Sequence, residues 1–465
     1  MSNLLRKPNQ PQNLNTVGLY ERFNLSENPF PSEPVVNKES TDKRINGDIY
    51  EIQIREKEFD LVRKHFLIQP QNNPNHFRLG YIIDTSYIGR GNGKSAFLIN
   101  LLHAINKEYC LDLTNEQNKC FGVYVSPEPG GRTKTFPSFV DCIFDALLKS
   151  NIISVCLATL RLEAISNLYP EFSLENMSEA HIVENLNEQK WFSDNNLSER
   201  EIDDLAFSNK DLQNFPPDFP FFSYRSGLFP TFVNQRNFED YYKTSLKKAK
   251  EKIDFVFSHL VKLFIAANFN GAYVLVDDFE RIPDFQSARQ KRDFALELRL
   301  CLFDGFYLNS KIGFYNFFLV LHAGVPRLIS DAWSESGMEN RAPINQSTYK
   351  NIIPFEKLNK EHALLLIKKY LSEYRIDSSK SDDLYPFTQD AVTKIGELSE
   401  FNAAKILRMA YELLDKAVTS SSQQKIDEAF IGENREIWDS EIKDQPHSIE
   451  TAQTTNLLGK AEGKE

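Results

Sequence analysis

A glycine-rich stretch near residue 90 constrains the fold of this chain more than any other feature. It consists of Gly89, Arg90, Gly91, Asn92, Gly93, Lys94 and Ser95. An apolar run at 81–83 precedes it, and from Ala96 onward the apolar residues recur at helical spacing. This order predicts a strand, a glycine turn and a helix whose first turn carries a lysine and a serine.

A turn of this kind is suited to binding phosphate groups. Its backbone N–H groups and the positive end of the helix dipole together favour a polyanion. Lys94 is expected to reach the β- and γ-phosphates of a nucleotide, and the Ser95 hydroxyl to bind Mg²⁺. The strict motif begins with a glycine at position 88, where this chain has Ile88. The alternative is an ordinary glycine turn with a solvated lysine.

Length and charge limit the classes of protein to consider. With 465 residues the chain is too long for one core and fits about two or three domains. Its net charge of −11 argues against a surface that is basic overall, so nucleic acid would have to bind a local patch. The densest basic run consists of Lys243, Lys247, Lys248, Lys250 and Lys252. The alternative is a solvated helix face balanced by Glu239 and Glu251.

Cysteine usage and hydropathy predict a cytoplasmic location. The five cysteines form no CxxC pair, and no His or Cys has zinc-site spacing, which indicates reduced thiols. The N-terminus is polar and lacks an apolar signal core. The longest apolar stretches, 255–269 and 314–325, are too short or too interrupted to cross a bilayer. We therefore expect a soluble protein without membrane contact.

Strand-like and helical segments alternate along much of the chain, which predicts an α/β fold with a parallel sheet. We expect an ATPase-like core from 49–150 and 255–357, interrupted by a helical insertion at 151–254. An extended arm at 1–48 precedes the core; its aromatic residues predict packing on a neighbouring surface, and the alternative is a partly disordered leader. A helical domain at 358–435 and a disordered tail at 436–465 follow.

A second chemical centre follows the apolar run 272–276. Asp277 and Asp278 come directly after this run, so their carboxylates are expected at the carboxyl edge of the sheet, where nucleotides bind. Asp277 would hold Mg²⁺ through water, and Asp278 would orient the attacking water. Glu280 is the competing base, because it lies on the same face as Asp278 if the strand continues.

These features resemble those of AAA+-type P-loop ATPases, in the branch that holds origin-recognition-like, secretion-associated and STAND ATPases. The resemblance rests on the run 55–58, the glycine loop, the Asp-Asp strand, the strand ending at His322 and the helical lid. The run Asp277-Asp278-Phe279-Glu280-Arg281 is also similar to a signature of KAP-type NTPases, although their membrane helices are missing here. The resemblance covers roughly 50–150 and 255–420 and implies ATP and Mg²⁺ as cofactors.

Further roles follow from the resemblance alone. His322 matches the polar sensor near the γ-phosphate, and Arg341 matches an arginine finger that enters a neighbouring subunit, the alternative being a surface arginine. The lid arginine of the family falls at Ala404, so the nearby Lys405 or Arg408 would have to replace it. This departure puts lid-coupled hydrolysis in doubt.

Two functions remain open at this point. The first is an ATPase that forms a homo-oligomer and remodels or gates a partner protein or DNA, by family analogy in bacterial anti-phage defence. The second is a STAND-like nucleotide switch with slow turnover. A DNA-binding regulator of a mobile element is a further variant. Asp278 and Ala404 favour the switch, whereas Arg341 favours the enzyme.

Overall fold

The structure is a computed structural model that describes most of the chain. The described residues are 18–67, 78–84, 90–111, 118–174, 177–213, 215–216, 218–219, 221, 232–344, 350–379, 383–420, 423–434 and 436. They divide into two compact units. The lid unit comprises the described residues within Met1–Arg55, Ile88–Ala96 and Lys357–Glu465, and the sheet unit those within Glu56–Tyr87 and Phe97–Glu356.

Five apolar segments form one parallel sheet among the described residues of the sheet unit. The strands are β1 (Leu79–Asp84), β2 (Cys120–Val125), β3 (Gly271–Val276), β4 (Tyr315–Leu321) and β5 (Ile352–Phe355). Their order across the sheet is β2-β3-β4-β1-β5, and every neighbouring pair is parallel. Nearly every strand residue is buried, as expected when helices cover both faces of a parallel sheet. The predicted α/β class with a parallel sheet is confirmed.

Helices make up a large part of the other described residues. In the sheet unit they are α1 (Glu56–Val62), α2 (Lys94–Asn106, whose first three residues belong to the lid unit), α3 (Phe136–Lys149), α4 (Ile152–Leu168), α5 (Glu179–Asn185), α6 (Gln189–Asp194), α7 (Glu199–Ala206), α8 (Gln235–Asp240), α9 (Ala249–Asp254), α10 (Leu260–Ala266), α11 (Ala288–Leu302), α12 (Leu308–Ile312) and α13 (Val325–Glu335). In the lid unit they are α14 (Lys360–Glu373), α15 (Gln389–Leu398), α16 (Ala403–Thr419) and α17 (Glu428–Glu433).

The predicted insertion shares its core with the sheet. Side chains from α4 and α7 of this insertion belong to the same buried cluster as the side chains of β2, β3 and β4 and of the adjoining core helix α10. Phe121 on β2 lies against Phe264 on α10, with ring centroids 4.9 Å apart. Buried aromatic side chains such as these contribute strongly to the hydrophobic stabilisation of the sheet unit.

Residues 18–55 belong to the core of the lid unit. Phe23, Leu25 and Phe30 are buried among side chains of α14, α15 and α16. The Asn24 side-chain amide donates to the Asp377 carbonyl at 2.6 Å. These anchors explain the aromatic residues of the predicted arm. The remainder of the arm (1–17) and all of the predicted tail (436–465) except residue 436 lie outside the described residues.

Candidate functional site

The glycine loop has the conformation that its composition predicts, as far as it is described. Gly91 and Gly93 have φ of +99° and +86°, a region that glycine adopts without steric cost. α2 begins at Lys94, so Lys94 and Ser95 lie in its first turn. Lys94 is 6% exposed. Gly89 lies outside the described residues, whereas Arg90, Asn92 and Ala96 lie within them.

Within the lid unit the loop is hydrogen-bonded to the start of α16. The side-chain amide of Asn402, the residue that caps α16, donates to the Arg90 carbonyl at 2.9 Å. The Ala404 N–H donates to the Gly91 carbonyl, also at 2.9 Å. A Cβ added at Gly91 would lie 2.7 Å from the Ala404 Cβ. The absence of a side chain at Gly91 therefore permits this close approach.

A buried arginine fixes the loop from a different segment of the lid unit. The Arg55 guanidinium, which is 4% exposed, donates to the Asn92 carbonyl at 3.1 Å. Lys405 and Arg408 are the two cations that could replace the family's lid arginine. Lys405 lies 3.7 Å from the Glu400 carboxylate, and Arg408 lies on the exposed face of α16. The roles of Asn402 and Arg55 were missed from the sequence, although an Asn directly before an apolar helix is a typical capping signal.

In the sheet unit, β3 ends one residue before the acidic pair. The Asp277 N–H still donates to the Val125 carbonyl of β2 at 2.9 Å, but Asp278 has a left-handed φ of +46°. Phe279–Arg281 then form a 3-10 turn. The premise that the strand continues is therefore wrong. Asp278 and Glu280 are brought together by a tight turn, because Asp tolerates the left-handed region better than most residues.

Each carboxylate of the acidic pair is held by a hydrogen bond or an ion pair. The Tyr124 hydroxyl of β2 donates to Asp277 Oδ2 at 2.6 Å, and the Asp278 N–H donates to Asp277 Oδ1 at 2.9 Å. The Asp278 carboxylate forms an ion pair with Arg281. Arg281 in turn donates to the Pro127 carbonyl at 3.1 Å and to Ser126 Oγ at 3.3 Å. The residues that directly follow β2 thus hold the acidic turn in place through Arg281.

Glu280 pairs with the histidine at the end of β4. His322 Nε2 lies 2.9 Å from Glu280 Oε1, and Glu280 is 5% exposed. Asp278, Glu280 and His322 each place one ligand-type atom within 4.8 Å of the others. This donor set contains an imidazole, whereas Mg²⁺ prefers oxygen ligands only, so the set is better suited to proton chemistry than to magnesium.

Arg341 lies elsewhere in the sheet unit. Burial, and secondly the positive charge of Arg341, lower the pKa of Arg78. Arg78 directly precedes β1 and donates to the Ser310 carbonyl at 2.6 Å. Arg341 is therefore on the amino-terminal side of the sheet, away from the acids that follow β3 in the same chain.

The basic run contains lysines with acidic partners. Lys243 lies 2.6 Å from Glu239, Lys248 lies 3.1 Å from Glu251, and Lys252 lies 3.0 Å from Asp141. Glu239 and Glu251 are the two acids expected if this run is a solvated helix face whose charges are balanced. Exposed pairs of this kind contribute little stability, but they reduce the charge that a phosphate backbone would meet.

Comparisons of this chain with protein-family models, with curated proteins and with solved structures found no match.

Among the described residues, no single helix is long and apolar enough to cross a membrane. The helices α3 and α4, which meet at a bend of 53°, pass the same test of length and composition as a pair.

Proposed function

We propose that this chain is an Mg²⁺-dependent ATPase of the AAA+ type. The observation that carries the proposal is the strand order. The glycine loop follows β1 in the chain, the acidic pair follows β3, and only β4 separates these two strands. With strands about 4.8 Å apart, the carboxyl ends of β1 and β3 are about 10 Å apart at one edge of the sheet. Ligands of open α/β sheets bind at this edge.

The residues present fit a magnesium nucleotide. Positive-φ glycines and a lysine at a helix start suit the phosphates, since backbone N–H groups and the helix dipole favour anions there. The Ser95 hydroxyl and the Asp277 carboxylate are the hard oxygen ligands that Mg²⁺ prefers. Bound Mg²⁺ would neutralise charge on the phosphate oxygens during hydrolysis.

The contacts favour Glu280 over Asp278 as the group that activates water. The Asp278 carboxylate is already engaged by Arg281, so its negative charge is balanced within the turn. Glu280 is buried and lies against the His322 imidazole, which can orient it and share a proton. A general base needs such a fixed position more than it needs exposure. Asp278 then serves to shape the turn.

A nucleotide switch with slow turnover is the second candidate. The observation that favours it is Ala404, whose Cβ would be only 2.7 Å from a Cβ at Gly91. The resemblance places a lid arginine at this position, and the alanine found here supplies no cation. In this function the chain binds ATP by the same residues but hydrolyses it slowly at every protein concentration.

Replacement of the loop lysine tests both candidates. Lys94→Ala removes the lysine at the start of α2, and we expect ATP affinity to fall about 100-fold, the effect of losing strong charge-assisted hydrogen bonds. Isothermal titration with ATP and Mg²⁺ measures this. Lys311→Ala, at an exposed lysine near the end of α12, is the matched control and should bind as the wild type does. Unchanged ATP affinity in Lys94→Ala would remove the basis of the proposal.

A further inference from the structure

The carboxylate of Asp277 is fixed from two directions. Its Oδ2 accepts from the Tyr124 hydroxyl at 2.6 Å, and its Oδ1 accepts from the Asp278 N–H at 2.9 Å. With one bond on each oxygen, rotation of the carboxylate is prevented. Each oxygen retains a second lone pair, which remains suited to a cation or to a water on a cation.

Tyr124 reaches Asp277 because β2 and β3 are in register. Tyr124 pairs with Leu275 and Val125 with Val276, so the side chain of Tyr124 stands beside the end of β3. The Asp277 N–H continues the ladder by donating to the Val125 carbonyl at 2.9 Å. The tyrosine is thus held by a rigid strand, which positions a donor more accurately than a loop does.

We propose that Tyr124 is a positioning residue that orients Asp277 toward a divalent cation and thereby sets the Mg²⁺ requirement of the chain. The inference rests on the proposed function, because it assigns the cation of that same site. Outer ligands that orient a metal-binding carboxylate contribute strongly to affinity for the metal. Tyr124 itself touches neither the cation nor the nucleotide.

A second Tyr–Asp bond in the same unit supplies a matched control. The Tyr242 hydroxyl donates to Asp141 Oδ1 at 2.8 Å, and Lys252 also lies 3.0 Å from this carboxylate. This pair joins α3 to the segment after α8, away from the acidic turn, so it has the same chemistry without a place in the site.

The experiment compares Tyr124→Phe with Tyr242→Phe. Each variant loses one hydroxyl and keeps its ring, and thermal unfolding confirms that both are folded. We expect Tyr124→Phe to raise the Mg²⁺ concentration for half-maximal ATP hydrolysis about 10- to 100-fold. Its affinity for ATP in EDTA and its rate at saturating Mg²⁺ should change far less. Electron paramagnetic resonance of bound Mn²⁺ with ADP should show the same loss of metal affinity. Tyr242→Phe should match the wild type in every measurement.

The outcomes separate this inference from the proposed function. A wild type that hydrolyses ATP, together with a Tyr124→Phe variant of unchanged Mg²⁺ and Mn²⁺ affinity, overturns the inference and leaves the function standing. Equal losses in both variants also overturn it, since they would reflect stability alone. A wild type that neither binds nor hydrolyses ATP with Mg²⁺ overturns the function and the inference together.

Discussion

Asp278 and Glu280 are two residues apart, yet their surroundings differ in charge. Arg281 neutralises Asp278, whereas Glu280 is buried beside the His322 imidazole. Two carboxylates in unlike environments commonly divide the roles of a site between them. The left-handed φ of +46° at Asp278 makes this division possible, because it turns the chain between the two side chains.

Amide substitutions test this division. Glu280→Gln should lower the single-turnover rate of ATP hydrolysis about 100-fold or more, the usual contribution of a general base. Asp278→Asn should reduce it much less, since Asp278 acts on the turn. The two variants are isosteric with the wild type and serve as controls for each other. A slow Asp278→Asn beside an active Glu280→Gln would show that Asp278 is the base. ATP affinity should be retained in both.

Among the elements, α4 contains a fully buried arginine in the described part of the predicted insertion. Arg161 and Asp203 of α7 are fully buried, and the guanidinium donates to both carboxylate oxygens at 2.7 and 3.2 Å. It also donates to the Val233 carbonyl at 2.6 Å and lies over the Phe232 ring, 4.2 Å from its centroid. One side chain thus connects segments that are far apart in sequence.

Breaking this pair should destabilise the chain strongly. Arg161→Met leaves Asp203 buried without its cation, which costs about 3–5 kcal/mol in the free energy of unfolding. Urea denaturation measures this. Arg236→Met removes an exposed partner of Asp240, 3.8 Å away, and should cost less than about 0.5 kcal/mol. A loss no larger than that of the control would contradict the assignment.

The same variant should respond to pH in a defined direction. Burial raises the pKa of Asp203, an effect that Arg161 opposes in the wild type. Without Arg161 the carboxyl would bind a proton on folding, so the unfolded state binds fewer protons and stability falls as pH rises. The deficit of Arg161→Met should therefore shrink toward and below about pH 4, where the unfolded carboxyl is also protonated.

The sequence was most informative about strands. The apolar runs at 81–83 and 272–276 and the segment ending at His322 each became a strand, because a strand buried on both faces must be continuously apolar. β5 is an edge strand of the sheet. Its proline is compatible with a sheet edge, where one side of the backbone has no partner strand.

The site was predictable only in its chemically distinctive residues. Glycines followed by a lysine, and acids after an apolar run, have few other uses, so the loop and the acidic pair were found from residue type. Tyr124, Asn402 and the anchoring of Arg281 on Pro127 were not. Each acts through a hydrogen bond between segments that only folding brings together.

On the scale of the whole molecule, the lid unit is assembled from three separated parts of the chain. Residues 18–55 and α14–α17 share one apolar core, and residues 90–96 of the glycine loop belong to the same unit. The Tyr20 hydroxyl donates to Asp415 at 3.0 Å, which fastens the first described segment to α16. The described part of the predicted arm, residues 18–48, is therefore part of the lid unit's packing.

If several chains assemble, Arg341 could act as an arginine finger in the site of a neighbouring chain. If its guanidinium enters a neighbour's site, hydrolysis should rise faster than linearly with protein concentration, since such fingers contribute about a thousandfold or more in rate. Arg341→Ala should remove this rise and leave ATP binding nearly intact. ATPase rate and oligomer mass across a dilution series measure both effects.

Arg327→Ala, at an exposed arginine of α13, controls for the general loss of surface charge. A nucleotide switch would instead change its mass with ATP while turnover stayed low at every concentration. A chain that remains monomeric with ATP and has a constant specific rate would contradict both forms of the proposal, and Arg341 would be an ordinary surface residue.

The bonds from Asn402 and Ala404 to the loop carbonyls have a thermodynamic consequence. Any ligand that prefers one conformation of the loop changes the free energy of the start of α16, and any protein that displaces α16 changes the loop by the same amount. Nucleotide and partner would then be reciprocal effectors. A partner bound only to the outside of α16 could therefore retain or expel a nucleotide without touching it.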